Sequence, residues 1–244
     1  MNKANPKSEI RISKQIQNLN FKWCSATGRL NFGYSELLRI SLFGFRVCCV
    51  ALVAAASLLV VNAQETQTSR TTSQNEVALI KTSAGDMVVQ FWNDAAPNTI
   101  ENFKKLAKQG LYNGTIFHRI VKGFMIQGGD PNSKDPAKED KYGEGGPGYK
   151  IKAEFNDHPH ERGVISMARE PDPDSAGSQF FICLGAVPRL DHQYTTFGKL
   201  IKGDDVLAKI GDTPVVPNSM GEKSKPTTRV TIEKIDIVPA DSVK

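Results

Sequence analysis

Cysteine is nearly missing from most of this chain. Of four cysteines in 244 residues, Cys24, Cys48 and Cys49 fall in the first 63, and Cys183 stands alone beyond them. With that leader removed no disulfide can form within the chain, and a single buried thiol has nothing to mispair with in an oxidising compartment. Charge of one sign is missing too. The formal net charge of +5 comes from residues 1–63, with 8 Lys+Arg against 2 Asp+Glu; the remainder carries 23 against 24. That balance leaves no electrostatic footprint for nucleic acid. A phosphate-cradling loop is lacking, because "GEGGPG" (143–148) has neither the following helix nor the lysine such a loop requires. No serine elbow accompanies Asp191 and His192, which argues against a Ser-His-Asp hydrolase. His158 and His160 stand at HxH spacing without a wider ligand constellation, a weak metal signal read as structural.

Long apolar runs are equally scarce. The longest apolar one, the uncharged Val47–Val61, has 15 residues, short of the roughly 20 that span a bilayer as a helix. Arg39 and Arg46 precede it and "VNA" follows, so residues 1–63 read as an extension plus secretory signal with cleavage after Ala63. An uncleaved membrane anchor is the alternative, and a buried core helix a third. The 46 residues before Val47 exceed a usual signal's basic region; either translation begins nearer Leu38 or the extension is real. Residues 64–76, "QETQTSRTTSQNE", are polar and aperiodic, a flexible linker.

From Val77 the pattern is mostly strands. "VALIKTSAGDMVVQFW" is a hairpin turning at Ser83–Asp86. "APNTIENFKKLAKQG" is a helix with Pro97 in its first turn and Gly110 at its end; Ile100, Phe103, Leu106 and Ala107 share a face. Short strands follow near 115–120, 124–128, 162–168, 178–185 and 195–201. A second helix opens at Asp204-Asp205, and 229–238 makes a last strand. Loop 129–150, charged and rich in Gly and Pro, belongs on the surface. Eight or so strands with two distant helices predict a mainly β chain: a closed eight-stranded antiparallel β-barrel capped by two α-helices, over 77–240.

Period-two geometry sorts the candidate site residues. Met125 and Gln127 share a strand face, as do Gln179 and Phe181, and Arg119 ends another strand. If the faces converge they form an apolar shelf edged by one guanidinium and two amides. Such a surface suits a small apolar group with peptide backbone beside it. Cys183 has the parity of Phe181 and is expected behind that shelf as an inert thiol. His118 is expected on the opposite face.

These residues carry a resemblance. "FHRIVKGFMIQGGDP" (117–131), "GVISMAR", "GSQFFI" and "LDHQYTTFGKL" resemble the signature blocks of the cyclophilin family of peptidyl-prolyl cis–trans isomerases, the bacterial exported type above all, over roughly 77–238. The resemblance implies an eight-stranded barrel with a shallow groove for a substrate proline and no cofactor. By position it implies Arg119 as the catalytic residue. Phe124, Met125, Phe181 and Leu190 would form the proline pocket, with Gln127 and Gln179 as polar contacts and Ala168 offering backbone. Three positions depart from the best-known eukaryotic pattern. Arg189 replaces a tryptophan, which implies weak cyclosporin binding. Tyr194 replaces a histidine and Arg169 an asparagine; both stay in the expected binding set. The implied partners are proline-containing unfolded or partly folded exported polypeptides, acted on by a monomer in the bacterial periplasm. The membrane would be met only through an uncleaved signal. A non-catalytic proline-peptide-binding or chaperone module is the alternative, favoured by the charge that Arg169 and Arg189 bring to the groove.

Overall fold

The computed structural model describes residues 75–243. The chain divides into two units, Met1–Gln64 and Glu65–Lys244, and all described residues lie in the second. The expected signal, its Val47–Val61 run and most of the 64–76 linker lie outside them. Among the described residues no helix is long and apolar enough to cross a membrane.

Eleven strands are described: β1 Glu76–Thr82, β2 Gly85–Phe91, β3 Thr115–Ile116, β4 Arg119–Val121, β5 Met125–Gly128, β6 Val164–Met167, β7 Phe180–Cys183, β8 Thr196–Lys202, β9 Val215–Pro217, β10 Lys223–Pro226 and β11 Thr231–Pro239. Nine form one antiparallel sheet in the order β3-β11-β1-β2-β8-β6-β7-β5-β4, and β9 pairs with β10 separately. Among the described residues the architecture is a curled, mainly β antiparallel sheet with two α-helices. The expected count of eight strands becomes nine because Phe117 and His118 interrupt the segment 115–121, whose halves hydrogen-bond to different neighbours, β11 and β5. The expected strands at 162–168, 178–185 and 195–201 shorten or shift to β6, β7 and β8. The β9–β10 hairpin is absent from the sequence reading, since two prolines and a polar turn mask it.

The first hairpin turns where expected. Thr82 Oγ1 accepts a bond from the Ala84 N–H and donates to the Gly85 carbonyl at 2.6 Å. Helix α1, Pro97–Lys108, begins with proline and has no capping side chain of its own. Glu154, 55 residues on, does the capping: its carboxylate accepts the Asn98 and Thr99 backbone N–H groups at 3.1 and 2.7 Å. A distant carboxylate thus satisfies donors that a helix start always leaves orphaned. At the other end Gly110 takes φ 70°, the Leu111 N–H reaches the Leu106 carbonyl at 3.0 Å, and the helix closes in a left-handed C-terminal turn.

The predicted apolar face of α1 enters the core. Phe103 is fully buried among Tyr112, Phe197, Phe180 and Phe91, with ring centroids 5.1, 5.3, 5.6 and 6.0 Å away. Leu207 and Ile210 of α2, Asp204–Gly211, join the same core. Loop 129–150 runs over the surface yet is pinned at its root. Asp130 and Ser133 are fully buried; Ser133 Oγ donates to the Asp130 carbonyl and accepts the Ile116 N–H.

Phe103→Ala should remove the hub of this aromatic cluster and cost about 3–5 kcal/mol, much of a domain's usual margin. The guanidinium-chloride midpoint measures the loss. A shift worth under 1 kcal/mol would mean the cluster is not the centre of the core.

Candidate active site

Strands β4, β5 and β7 lie side by side, so directly opposed residues share a face. Ile120, Ile126 and Ile182 align across them, and Ile165 of β6 continues the row. All four are fully buried in the main core. One residue along, Arg119, Gln127, Phe181 and Ser166 form the next row, which by strand alternation faces away from that core. Two residues on, Val121, Met125 and Cys183 share this outer face. There Met125, Phe181, Cys183 and Val187 build a second apolar cluster, joined by Phe124, Ala168, Leu190 and Tyr194.

A hollow of about 130 Å³ opens in this second cluster. Arg119, Gln127, Ala168 and Arg169 edge it, and Phe124, Met125, Phe181, Leu190 and Tyr194 supply its apolar lining. Every sequence-predicted site residue except Gln179 therefore meets at one place. Gln179 sits in an adjoining groove of about 570 Å³ that shares Gln127, Ala168 and Arg169 with the hollow.

The polar residues form a continuous relay. Arg119 Nη1 donates to Gln127 Oε1 at 3.2 Å. Gln127 Nε2 donates to Gln179 Oε1 at 3.0 Å. Gln179 Nε2 donates to the Gly143 and Gly145 carbonyls at 2.7 and 2.8 Å. At the near end lies a residue that sequence reasoning missed. Glu222 accepts Arg119 Nε at its Oε2 and Arg119 Nη2 at its Oε1, both at 2.7 Å. The hydrogen bond from Arg119 holds the Glu222 carboxyl below the usual carboxylate range, against the opposing effect of burial.

Behind the hollow stands a buried post. His160 Nδ1 donates to Asp191 Oδ1 at 2.8 Å, and Nε2 lies 3.1 Å from Ser166 Oγ. The imidazole stacks on Phe181 at 5.9 Å and meets Tyr194 edge-on. Burial pushes its pKa down although Asp191 pulls the other way. The serine is fully buried and its Oγ also donates to the Thr195 carbonyl. This Ser-His-Asp alignment thus packs the pocket wall and offers no reachable nucleophile. Cys183 lies behind the shelf as expected, with burial pushing its thiol up to about 12.

The two unexpected arginines cover pocket walls. The Arg189 guanidinium lies 4.7 Å over the Phe124 ring and that of Arg169 4.6 Å over Tyr194. Arg169 also donates to the Gln193, Glu170 and Pro171 carbonyls, so it folds back on the chain. His158 stacks on Trp92 at 3.9 Å, apart from His160 and its partners. Among the described residues no three His, Cys, Asp or Glu side chains gather as a metal site would need. His118 is a correction: it borders the groove on the Glu222 side of Arg119, beside Gly143, rather than the core. Both its ring nitrogens are sealed from solvent, with the Ile116 backbone as a hydrogen-bonding neighbour of the ring. Burial lowers its pKa to about 4, with Arg119 also lowering and Asp130 raising it.

Comparison with known proteins gives a consistent result. Residues 77–237 match the family model described as cyclophilin type peptidyl-prolyl cis-trans isomerase/CLD. The chain is 47% identical over 122 residues to a peptidyl-prolyl cis-trans isomerase of Synechococcus elongatus, covering 50% of this chain and 78% of that one. It is 35% identical over 185 residues to a probable peptidyl-prolyl cis-trans isomerase of Brucella abortus, covering 74% and 94%. Among solved structures, a Cryptosporidium parvum cyclophilin type isomerase crystallised in the presence of the dipeptide Ala-Pro aligns with TM-score 0.59 and 33% identity. That alignment covers 66% of this chain and 98% of that one.

The histidines make stability acid-sensitive in a definite sense. His118 and His160 have folded pKa values below the ordinary 6.5, so the folded state binds fewer protons than the unfolded one. Their contribution is complete above about pH 6.5 and is lost as pH falls through the folded values. The denaturation midpoint should therefore drop between pH 6.5 and about 4, and His118→Asn should flatten the slope. An equally steep slope in that variant would show that other groups carry it.

Proposed function

The chain belongs to the cyclophilin-type peptidyl-prolyl cis–trans isomerase family, and from that premise we propose that Arg119 is its catalytic residue and the neighbouring hollow its proline pocket. The protein is an enzyme of this class. Rotation about an X–Pro bond faces a barrier of about 18–20 kcal/mol because the imide nitrogen's lone pair is conjugated with the carbonyl. No bond is made or broken, so no nucleophile is required. Twisting ends the conjugation and leaves a lone pair that accepts a hydrogen bond. Arg119 donates that bond to the twisted imide and gains little from the planar one. Such a difference between states is what catalysis requires, and each ~1.4 kcal/mol of it is a tenfold rate gain.

The observation that carries the reading is one guanidinium at the lip of a small apolar hollow: Arg119 Nη1 lies 3.8 Å from Met125 Sδ. Phe124, Met125, Phe181, Leu190 and Tyr194 hold the pyrrolidine ring while the preceding carbonyl swings. Gln127 and Gln179 bind substrate backbone. The Ala168 N–H is committed to the Gln179 carbonyl, so the Ala168 carbonyl is the group it offers. Arg169 lines the same hollow and contributes backbone, since its side chain is folded back.

The sheet closes into an eight-stranded barrel if β3 and β4 count as halves of one bent strand, hydrogen-bonded to β11 on one side and β5 on the other. Residues 77–240 form the isomerase domain, behind a linker at 64–76 and an export signal ending at Ala63. The substrates are proline-containing unfolded or partly folded exported chains, where slow isomerisation limits folding. The enzyme assists folding as a monomer in the bacterial periplasm, and Gln64 as the N-terminus of native protein would support cleavage. Cyclosporin binds weakly, because Arg189 stands where a tryptophan would make contact.

Exchange spectroscopy on an Ala-Pro peptide tests the assignment. Arg119→Ala should lower turnover by about 10²-fold with the fold intact, since the residue stands in an open groove. Near-normal turnover in that variant would remove Arg119 from its role. Phe181→Ala should weaken both peptide binding and rate; an unaltered dissociation constant would mean the ring binds elsewhere.

A further inference from the structure

Given Arg119 as the catalytic group, we propose that Glu222 is its positioning residue: a bidentate clamp that fixes the guanidinium so that its Nη1 end alone faces the proline pocket. The inference rests on the reading above and adds a residue to it.

A guanidinium carries five N–H donors. Here Nε–H and one Nη2–H go to the two Glu222 oxygens, and one Nη1–H goes to Gln127. The second Nη1–H remains on the side nearest Met125 Sδ. Parallel fork-to-fork pairing fixes a plane as well as a distance, which a single bond cannot do. The clamp grips the edge of the guanidinium remote from the hollow, and Gln127 limits its remaining rotation. A substrate therefore meets a donor already aimed, so little reorganisation is needed as the imide twists.

The turn that presents Glu222 is itself built to hold it. Asn218 Oδ1 accepts the Met220 and Glu222 N–H groups at 2.9 and 3.0 Å. The Asn218 N–H donates to the Glu222 carbonyl at 2.8 Å, and the Gly221 N–H to the Asn218 carbonyl at 3.0 Å. Gly221 takes φ 80°, which a side chain would resist. Strand β10, which follows, packs against β4, and its Lys225 pairs with Glu139 of loop 129–150. The hairpin thus carries a carboxylate to an arginine 103 residues earlier. At neutral pH that carboxylate is ionised, as its lowered pKa requires.

The test uses Glu222→Gln, which keeps size and one acceptor but loses the charged fork, with Asn218→Ala as a second variant that loosens the turn under the Glu222 backbone while leaving both side chains of the pair intact. Exchange spectroscopy on the Ala-Pro peptide gives the on-enzyme rate and the dissociation constant separately. Both variants should slow the on-enzyme rate, Glu222→Gln by about 10-fold or more, with the dissociation constant changed less than about twofold. The Arg119 Nε–H resonance should shift, and its hindered Nη signals should collapse into fast rotation. A rate in Glu222→Gln equal to or above wild type overturns the proposal, the latter because it would make the carboxylate a competitor of the substrate. Unchanged Arg119 side-chain signals overturn it as well. The Arg119→Ala control separates the two readings. If that variant turns over normally, the catalytic assignment falls and the clamp's role with it. If it is inactive while Glu222→Gln is normal, only the clamp falls.

Discussion

The register of three short strands holds everything else in place. Across β4, β5 and β7 one row, Ile120, Ile126 and Ile182, is buried, and the next, Arg119, Gln127 and Phe181, faces outward. Side-chain period in a strand is two, so a slip of one residue would exchange the rows. It would send a guanidinium into an apolar core, at a cost of several kcal/mol even after relaxation, and expose the isoleucines. The hydrophobic pattern that specifies the fold is thereby the same pattern that places the groups proposed for catalysis. Because the active row lies outside the main core, the pocket needs an apolar wall of its own. Met125, Phe181, Cys183 and Val187 supply it.

That wall is held from two sides. Behind Phe181 stands His160, fixed by Asp191 and bordered by Ser166. Neutral imidazole fits there, since burial disfavours its charge. In front, Arg189 covers Phe124 and Arg169 covers Tyr194. At exposed positions such contacts contribute about 0.5–1 kcal/mol each, enough to favour one ring orientation without sealing the hollow. The two residues that depart most from the family's pattern therefore brace apolar walls.

Much of the site was legible because its residues sit in short motifs whose parity can be read locally. "RIVKGFMIQG" places Arg119, Met125 and Gln127 within one hairpin, and "SQFFIC" places Phe181 and Cys183 on one strand with Gln179 just before it. The resemblance then joined the two. What was not legible depends on long-range geometry. Glu222 reaches Arg119 across 103 positions, and Glu154 caps α1 across 55; neither carboxylate differs locally from any surface glutamate. His160 was read with His158 as a pair, yet one stacks on Trp92 and the other on Phe181. Asn218 and Gly221 flanking a short hairpin were the one local sign of an ordered turn at 218–222, and Pro214 and Pro217 obscured it. The strand count erred for a related reason. Apolar Phe117 continues the run of 115–120 as a string of letters, although the hydrogen-bond partner changes there.

A reaction that makes no bond asks something specific of its catalyst. There is no proton to move and no intermediate to stabilise, so the gain must come from donors already directed at the twisted imide. Flexible donors would lose much of that gain in orienting themselves. The groove's polar side chains are instead tied in sequence, Glu222 to Arg119 to Gln127 to Gln179, with the far end anchored on the Gly143 and Gly145 carbonyls. The relay spans from the turn at 218–222 to loop 129–150, so two surface loops that hold no part of the apolar pocket determine how the Arg119 guanidinium is aimed. Rigidity in the polar row and openness in the hollow are then compatible: in the proposed mechanism the donors stay fixed while the peptide rotates against them.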